Sequence, residues 1–126
     1  MRLLVVGATG GTGLQVLGQG LARGHEIAAL VRDPGKLRLA DARLQVIPGA
    51  LPGDVAPLEA ALAGRDAVLC ALGVRNAFKS GGLIEGAMRV LVPAMERARV
   101  RRLLLVSANG VGETRARSPL VPRILY

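Results

Sequence analysis

Residues 2–17 read RLLVVGATGGTGLQVL, and this stretch decides the fold. Its first five residues form an apolar run too short for a helix and too continuous for a strand with one wet face, which predicts a strand in the middle of a parallel sheet over residues 2–6. A turn follows at Gly7, Ala8, Thr9, Gly10, Gly11, Thr12 and Gly13. Beyond it Leu14, Leu17, Leu21 and Ala22 recur at helical spacing, predicting a helix over residues 12–23 that closes at Gly24, a C-terminal glycine. Strand, glycine turn and helix in this order bring a helix N-terminus up to an anion. Glycines lack the Cβ that would hold a ligand off the backbone, and the first N–H groups and the helix dipole favour negative charge. Thr9 and Thr12 add hydroxyl donors.

The spacing within the turn narrows the ligand. Gly7-x-x-Gly10-x-x-Gly13 departs from the G-x-G-x-x-G fingerprint, and Leu14 stands where a triphosphate-binding loop has its Lys, so a triphosphate site has little support. A glycine turn that binds nothing is the competing reading. The strand before it and the helix behind it favour the phosphate cradle.

Outward from this unit the pattern repeats. Apolar runs predict strands over residues 27–31, 44–47, 67–72 and 103–106. Asp33, Pro34 and Gly35 break the second strand, and residues 36–39 read as a single helical turn. A short helix is expected over residues 57–63, with Pro57 in its first turn and Gly64 as its stop. A longer one is expected over residues 83–99, kinked at Pro93. Five strands alternating with helices, joined by right-handed crossovers, predict an α/β fold: a doubly wound parallel sheet in the order 3-2-1-4-5.

The 126 residues suffice for one domain, and 51% apolar with 21% charged residues exclude a disordered or fibrous chain. Phe78 and Tyr126 are the only aromatics, too few for a base-stacking platform. No apolar run reaches the length of a membrane span, and Gly7 interrupts the opening run before a signal-peptide core forms, so a soluble cytoplasmic protein without membrane association is expected. Cys70, alone in an apolar run, reads as a small buried hydrophobe, and no metal set can be assembled. The net charge of +8 is uneven: residues 1–63 carry six basic and five acidic side chains, residues 64–126 eleven and four. Arg97, Arg99, Arg101 and Arg102 lead the surplus, followed by Arg115, Arg117 and Arg123.

Four motifs in order carry a resemblance: GATGGTG at residues 7–13, GHEIAALVRDPGKL at 24–37, GRDAVLCALGVRN at 64–76 and RRLLLVSANGVG at 101–112. Together they resemble the atypical short-chain dehydrogenase/reductases, in particular the NmrA-like group that includes NADPH-dependent flavin and biliverdin reductases. The resemblance implies a Rossmann-type fold and a nicotinamide dinucleotide held by Gly7, Thr9, Gly10, Gly11, Thr12 and Gly13. At the end of the second strand an acid would suit the ribose 2′-OH of NAD and a basic group the 2′-phosphate of NADP, and the chain offers Arg32 followed by Asp33. The resemblance gives Arg32 the phosphate, which favours NADP(H) over NAD(H). Lys36 and Arg38 can add charge there or be plain solvated side chains.

The same resemblance places Asp54 by the adenine, although the Gly-Asp pair comes late, because Gly49 is followed by Ala50. It runs the backbone of Ala71, Leu72 and Gly73 along the ribose and nicotinamide, with Arg75 and Asn76 near the mouth. Ser107, at the end of the fifth strand, is the candidate polar group beside the nicotinamide or a substrate carbonyl, with Asn109 and residues 110–112 able to reach the same space. A Tyr-x-x-x-Lys proton-donating pair is missing, since the only Tyr is Tyr126. His25, at the opposite edge of the sheet, is expected to be structural. The expected activity is hydride transfer from NADPH to a flavin or a small carbonyl or tetrapyrrole-like substrate. A dinucleotide-sensing regulator without turnover, or a basic interaction module, are the alternatives. Members of the resembled group continue past this point, so the chain reads as an NAD(P)-binding domain lacking a C-terminal substrate-binding part. That leaves the fifth strand as an open edge to be covered by a missing segment or a second copy of the chain. The basic surplus is then expected to face acidic residues of that missing segment rather than nucleic acid.

Overall fold

A computed structural model describes residues 1–73 and 82–106. Five strands form one sheet: β1 (Arg2–Val6), β2 (Glu26–Val31), β3 (Leu44–Pro48), β4 (Ala67–Cys70) and β5 (Leu103–Leu105). They lie in the order β3-β2-β1-β4-β5, and every pairing is parallel. β1 and β4 are adjacent, yet the chain leaves β1 in one direction and returns in the other. Their C-terminal ends therefore form the switch point at which open α/β sheets bind ligands.

Three helices and one 3-10 turn complete the described residues: α1 (Gly11–Ala22), the 3-10 turn Pro34–Lys36, α2 (Val55–Leu62) and α3 (Leu83–Arg97). α1 ends as its sequence predicts. Gly24, at φ +84°, donates to Leu21 C=O at 3.0 Å and His25 N–H donates to Gly20 C=O at 3.1 Å, the paired bonds of a Schellman motif. α3 ends with the same pair of bonds around Arg99, a non-glycine residue at φ +59°. It runs through Pro93 without ending there.

Apolar side chains divide the interior into two layers. Leu4, Val6, Ala28, Leu30, Val68 and Cys70 face α2 and α3, where Leu58, Leu62 and Leu91 are fully buried. Leu3, Val5, Ile27, Ala29 and Val31 face α1 and its Leu17 and Leu21. The alternation within each strand, with both faces apolar, explains why the strands read as unbroken hydrophobic runs. The α1 side is covered unevenly. Leu104 pairs in register with Leu69, yet Leu104 and Val106 are 55% and 50% exposed. β5 has no partner strand on its outer side among the described residues.

Several boundaries differ from the sequence expectation. The helical turn sits at Pro34–Lys36 rather than residues 36–39, because Asp33 caps it and so starts it two residues earlier. α2 starts at Val55, which puts Pro57 third in the helix and still within the first turn, where its missing N–H costs nothing. β4 stops at Cys70 because its neighbour β1 turns away at Gly7. β5 is three residues long and stops at Leu105, and α3 ends at Arg97, where the Arg99 turn takes over.

Candidate functional site

The glycine turn sits at the end of β1, against the end of β4. Gly7 has φ +81°, which L side chains rarely adopt, and a Cβ there would lie 2.6 Å from the Ala71 carbonyl carbon and 2.7 Å from Leu72 N. A Cβ on Gly13 would run into Gly7 O and come within 2.8 Å of Ala8 Cα. These two glycines serve backbone packing, since they let β1, β4 and the start of α1 touch. Ala71 N–H, donating to Val6 C=O at 2.8 Å, closes the same contact.

Gly10 and Gly11 are different. A Cβ on Gly10 would meet only Gly7 O at 3.6 Å, an ordinary contact, and one on Gly11 would meet nothing within 4 Å. Gly10 is the N-cap of α1 with φ −74° and ψ 165°, a conformation open to any residue, and no side chain caps the helix. The first intrahelical bond runs from Leu14 N–H to Gly10 C=O at 2.9 Å. The N–H groups of Gly11, Thr12 and Gly13 thus precede the helical ladder, at a surface where Thr9, Gly10, Gly11 and Thr12 are exposed. Where the fold does not require glycine and yet the chain has it, the space a Cβ would take stays open to a ligand. A pyrophosphate suits this space: it needs close backbone approach, several N–H donors and the positive end of a dipole.

Around this turn lie the other candidates. Arg32 follows the last residue of β2, and because Val6 pairs with Leu30, the end of β2 stands level with the start of the glycine turn. Arg32 is exposed and joins no ion pair among the described residues. Asp33 has its carboxylate engaged: Oδ1 accepts from Gly35 N–H at 3.1 Å. Asp54, the N-cap of α2, likewise closes its own loop, with Oδ2 accepting from Ala50 N–H at 2.7 Å and its N–H donating to Ala50 C=O at 2.8 Å. Ala71 and Leu72 are half-buried and Gly73 is exposed at the end of β4, beside Gly7. The site thus gathers Gly7 to Gly13, Arg32 and Ala71 to Gly73 at one end of the sheet. Asp54 is held in the loop that leads into α2.

Ser107, Arg75, Asn76, Asn109 and residues 110–112 lie outside the described residues. His25 is at the far end of the sheet, where Met1 N donates to its Nδ1 at 3.0 Å and Glu26 N–H bonds Met1 C=O. Cys70 is buried beneath the crevice, in the layer facing α2 and α3, and burial pushes its thiol pKa up. Among the described residues no three His, Cys, Asp or Glu side chains converge on a metal position, and no helix is long and apolar enough to cross a membrane. The carboxylate bonds of Asp33 and Asp54 are what sequence reading missed. The Asp-Pro-Gly signal at residues 33–35 could have found the first.

Comparison with known proteins bears on the family and the fold. A family model described as NAD(P)H-binding matches residues 7–124. Among solved structures, the oxidoreductase ylbE of Lactococcus lactis superposes with TM-score 0.83 at 21% identity, over 99% of this chain and 56% of its own. The anaerobilin reductase ChuY of Escherichia coli O157:H7 gives 0.80 at 21%, over 98% and 59%. Uronate dehydrogenase of Agrobacterium tumefaciens gives 0.70 at 25%, over 86% and 41%. At such identities ylbE and ChuY establish the fold, and the chain spans about half the length of the structures it matches. With the family match running from Gly7 through nearly all the rest of the chain, and the open glycine cradle at the switch point of a five-stranded parallel sheet, this chain belongs to the NAD(P)H-binding family.

Proposed function

We propose that this chain is the dinucleotide-binding part of an NADPH-dependent reductase of the atypical short-chain type, with a flavin or a small carbonyl or tetrapyrrole-like compound as hydride acceptor. The observation that carries it is the uncapped start of α1 beside Gly10 and Gly11, whose Cβ positions are open while those of Gly7 and Gly13 are filled. When bound, reduced nicotinamide supplies a hydride. The chain's own residues bind and orient: the N–H groups of Gly11, Thr12 and Gly13 take the pyrophosphate, Arg32 pairs with the 2′-phosphate, and the small residues Ala71 to Gly73 let the ribose and nicotinamide lie along the end of β4. Asp54 borders the adenine side, and Ser107 is the proposed polar group at the acceptor. Cys70 as a free thiol fits a cytoplasmic, reducing setting.

The end of β2 supports a cofactor preference. One carboxylate oxygen of Asp33 caps its own turn, while Arg32 is exposed and joins no ion pair among the described residues, which supports a guanidinium selecting phosphate there. NADPH is expected to bind more tightly than NADH, and Arg32→Glu to weaken NADPH at least tenfold while leaving NADH nearly unchanged, about 1.4 kcal/mol of selective loss. Equal weakening of both cofactors would remove Arg32 from the 2′-phosphate site. The reductase reading is tested by loss of reduced-nicotinamide absorbance with flavin, quinone and carbonyl acceptors. No oxidation across that panel, with NADPH binding intact, favours instead a dinucleotide-sensing regulator.

A further inference from the structure

Asp33 stands next to Arg32 at the cofactor end of β2, where a carboxylate would suit the ribose 2′-OH of NAD. Its hydrogen bonds give it other work. Oδ1 accepts from Gly35 N–H at 3.1 Å, its C=O accepts from Lys36 N–H at 3.1 Å, and Pro34 C=O accepts from Leu37 N–H at 3.1 Å. Leu37, directly after this 3-10 turn, packs against the layer that faces α1, so the turn is anchored to the core. On the other side of Arg32, Val31 C=O accepts from Gly49 N–H at 2.9 Å, which ties the end of β2 to the end of β3. The backbone is therefore fixed immediately before and after Arg32, while its side chain is exposed and joins no ion pair among the described residues.

We infer that Asp33 is a positioning residue for cofactor selection: it caps the 3-10 turn through its own backbone and so holds Arg32, with Lys36 beyond it, in place for the 2′-phosphate of NADP(H), without touching the ribose itself. A phosphate held by one guanidinium gains from pre-organisation, because ordering a long side chain on a loose backbone costs affinity. The inference rests on the reading of Arg32 given above. Its distinguishing element is the acceptor oxygen of Asp33, which asparagine keeps and alanine lacks.

The experiment is titration of NADPH and of NADH into the wild-type chain, Asp33→Asn and Asp33→Ala, with thermal unfolding of each free protein. Asp33→Ala is expected to lower the NADPH-over-NADH affinity ratio roughly fivefold, the size of a lost cap. Asp33→Asn is expected to restore that ratio to within about twofold of wild type, because its side-chain oxygen still accepts from Gly35 N–H. If both variants lose NADH affinity and keep NADPH affinity, Asp33 is a ribose ligand and the inference fails. If both tighten NADPH equally, Asp33 acts through its charge and the inference fails as well. Unchanged selectivity in Asp33→Ala overturns it too, leaving Arg32 in its proposed role. Wild-type protein that binds NADH as tightly as NADPH overturns the 2′-phosphate reading and this inference with it.

Discussion

Four glycines in one heptapeptide look alike in sequence and divide into two kinds in space. Gly7 and Gly13 leave no room for a methyl group, Gly7 also having φ +81°, so Gly7→Ala and Gly13→Ala are each expected to cost more than about 2 kcal/mol of stability. Gly10→Val, with an extended backbone and open space, is expected to keep the fold and abolish dinucleotide binding. Urea unfolding beside cofactor titration separates the two kinds, and Gly10→Val that unfolds like Gly13→Ala would erase the distinction. The glycine pattern and the place of Arg32 were legible in the sequence, because a strand-turn-helix order and a basic residue at a strand end are local facts. The division among the glycines was not, since it depends on how closely Ala71 and Leu72 of a distant strand approach. The bonds of Asp33 and Asp54 escaped for a related reason: a side chain that turns back on its own backbone looks, in sequence, like one free to meet a ligand.

At the scale of the element, α3 carries two conformational costs. Pro93 lies exposed inside it and Arg99 takes the left-handed position after it. Pro93→Ala is expected to raise stability by about 1–3 kcal/mol, and Arg99→Gly by about 0.5–1 kcal/mol, both read from the denaturant midpoint. Existence and type of every described strand and helix could be read from apolar runs and helical spacing, whereas ends shifted by one to three residues. Those ends are set by caps such as Asp33 and by neighbours such as Gly7, which periodicity does not encode. In β4, burial raises the Cys70 thiol pKa, so the unfolded chain ionises first as pH rises. The stability this group contributes is present below the ordinary cysteine value of about 8.5 and is lost above it. Native protein is therefore expected to resist thiol alkylation at neutral pH and to react once denatured, and rapid native labelling would contradict the burial.

At the scale of the whole molecule the two faces of the sheet are covered unequally by the described helices. Among the described residues α2 and α3 cover one face and α1 the other, where Leu104 and Val106 near the β5 edge are exposed. Leu104→Lys is expected to leave stability within about 0.5 kcal/mol and cofactor affinity unchanged while lowering any concentration-dependent self-association seen by sedimentation. Unaltered self-association would place the contact elsewhere. The glycine turn has a consequence of another sort. Because Gly7 is wedged against Ala71, the amide of Ala71, bonded to Val6 C=O, sits directly behind the glycine turn proposed to hold the pyrophosphate. Any ligand that stiffens the turn must slow the opening of that one bond. Deuterium uptake at Ala71 would then act as a built-in gauge of site occupancy, readable from inside the sheet without reference to turnover, absorbance or the identity of the acceptor.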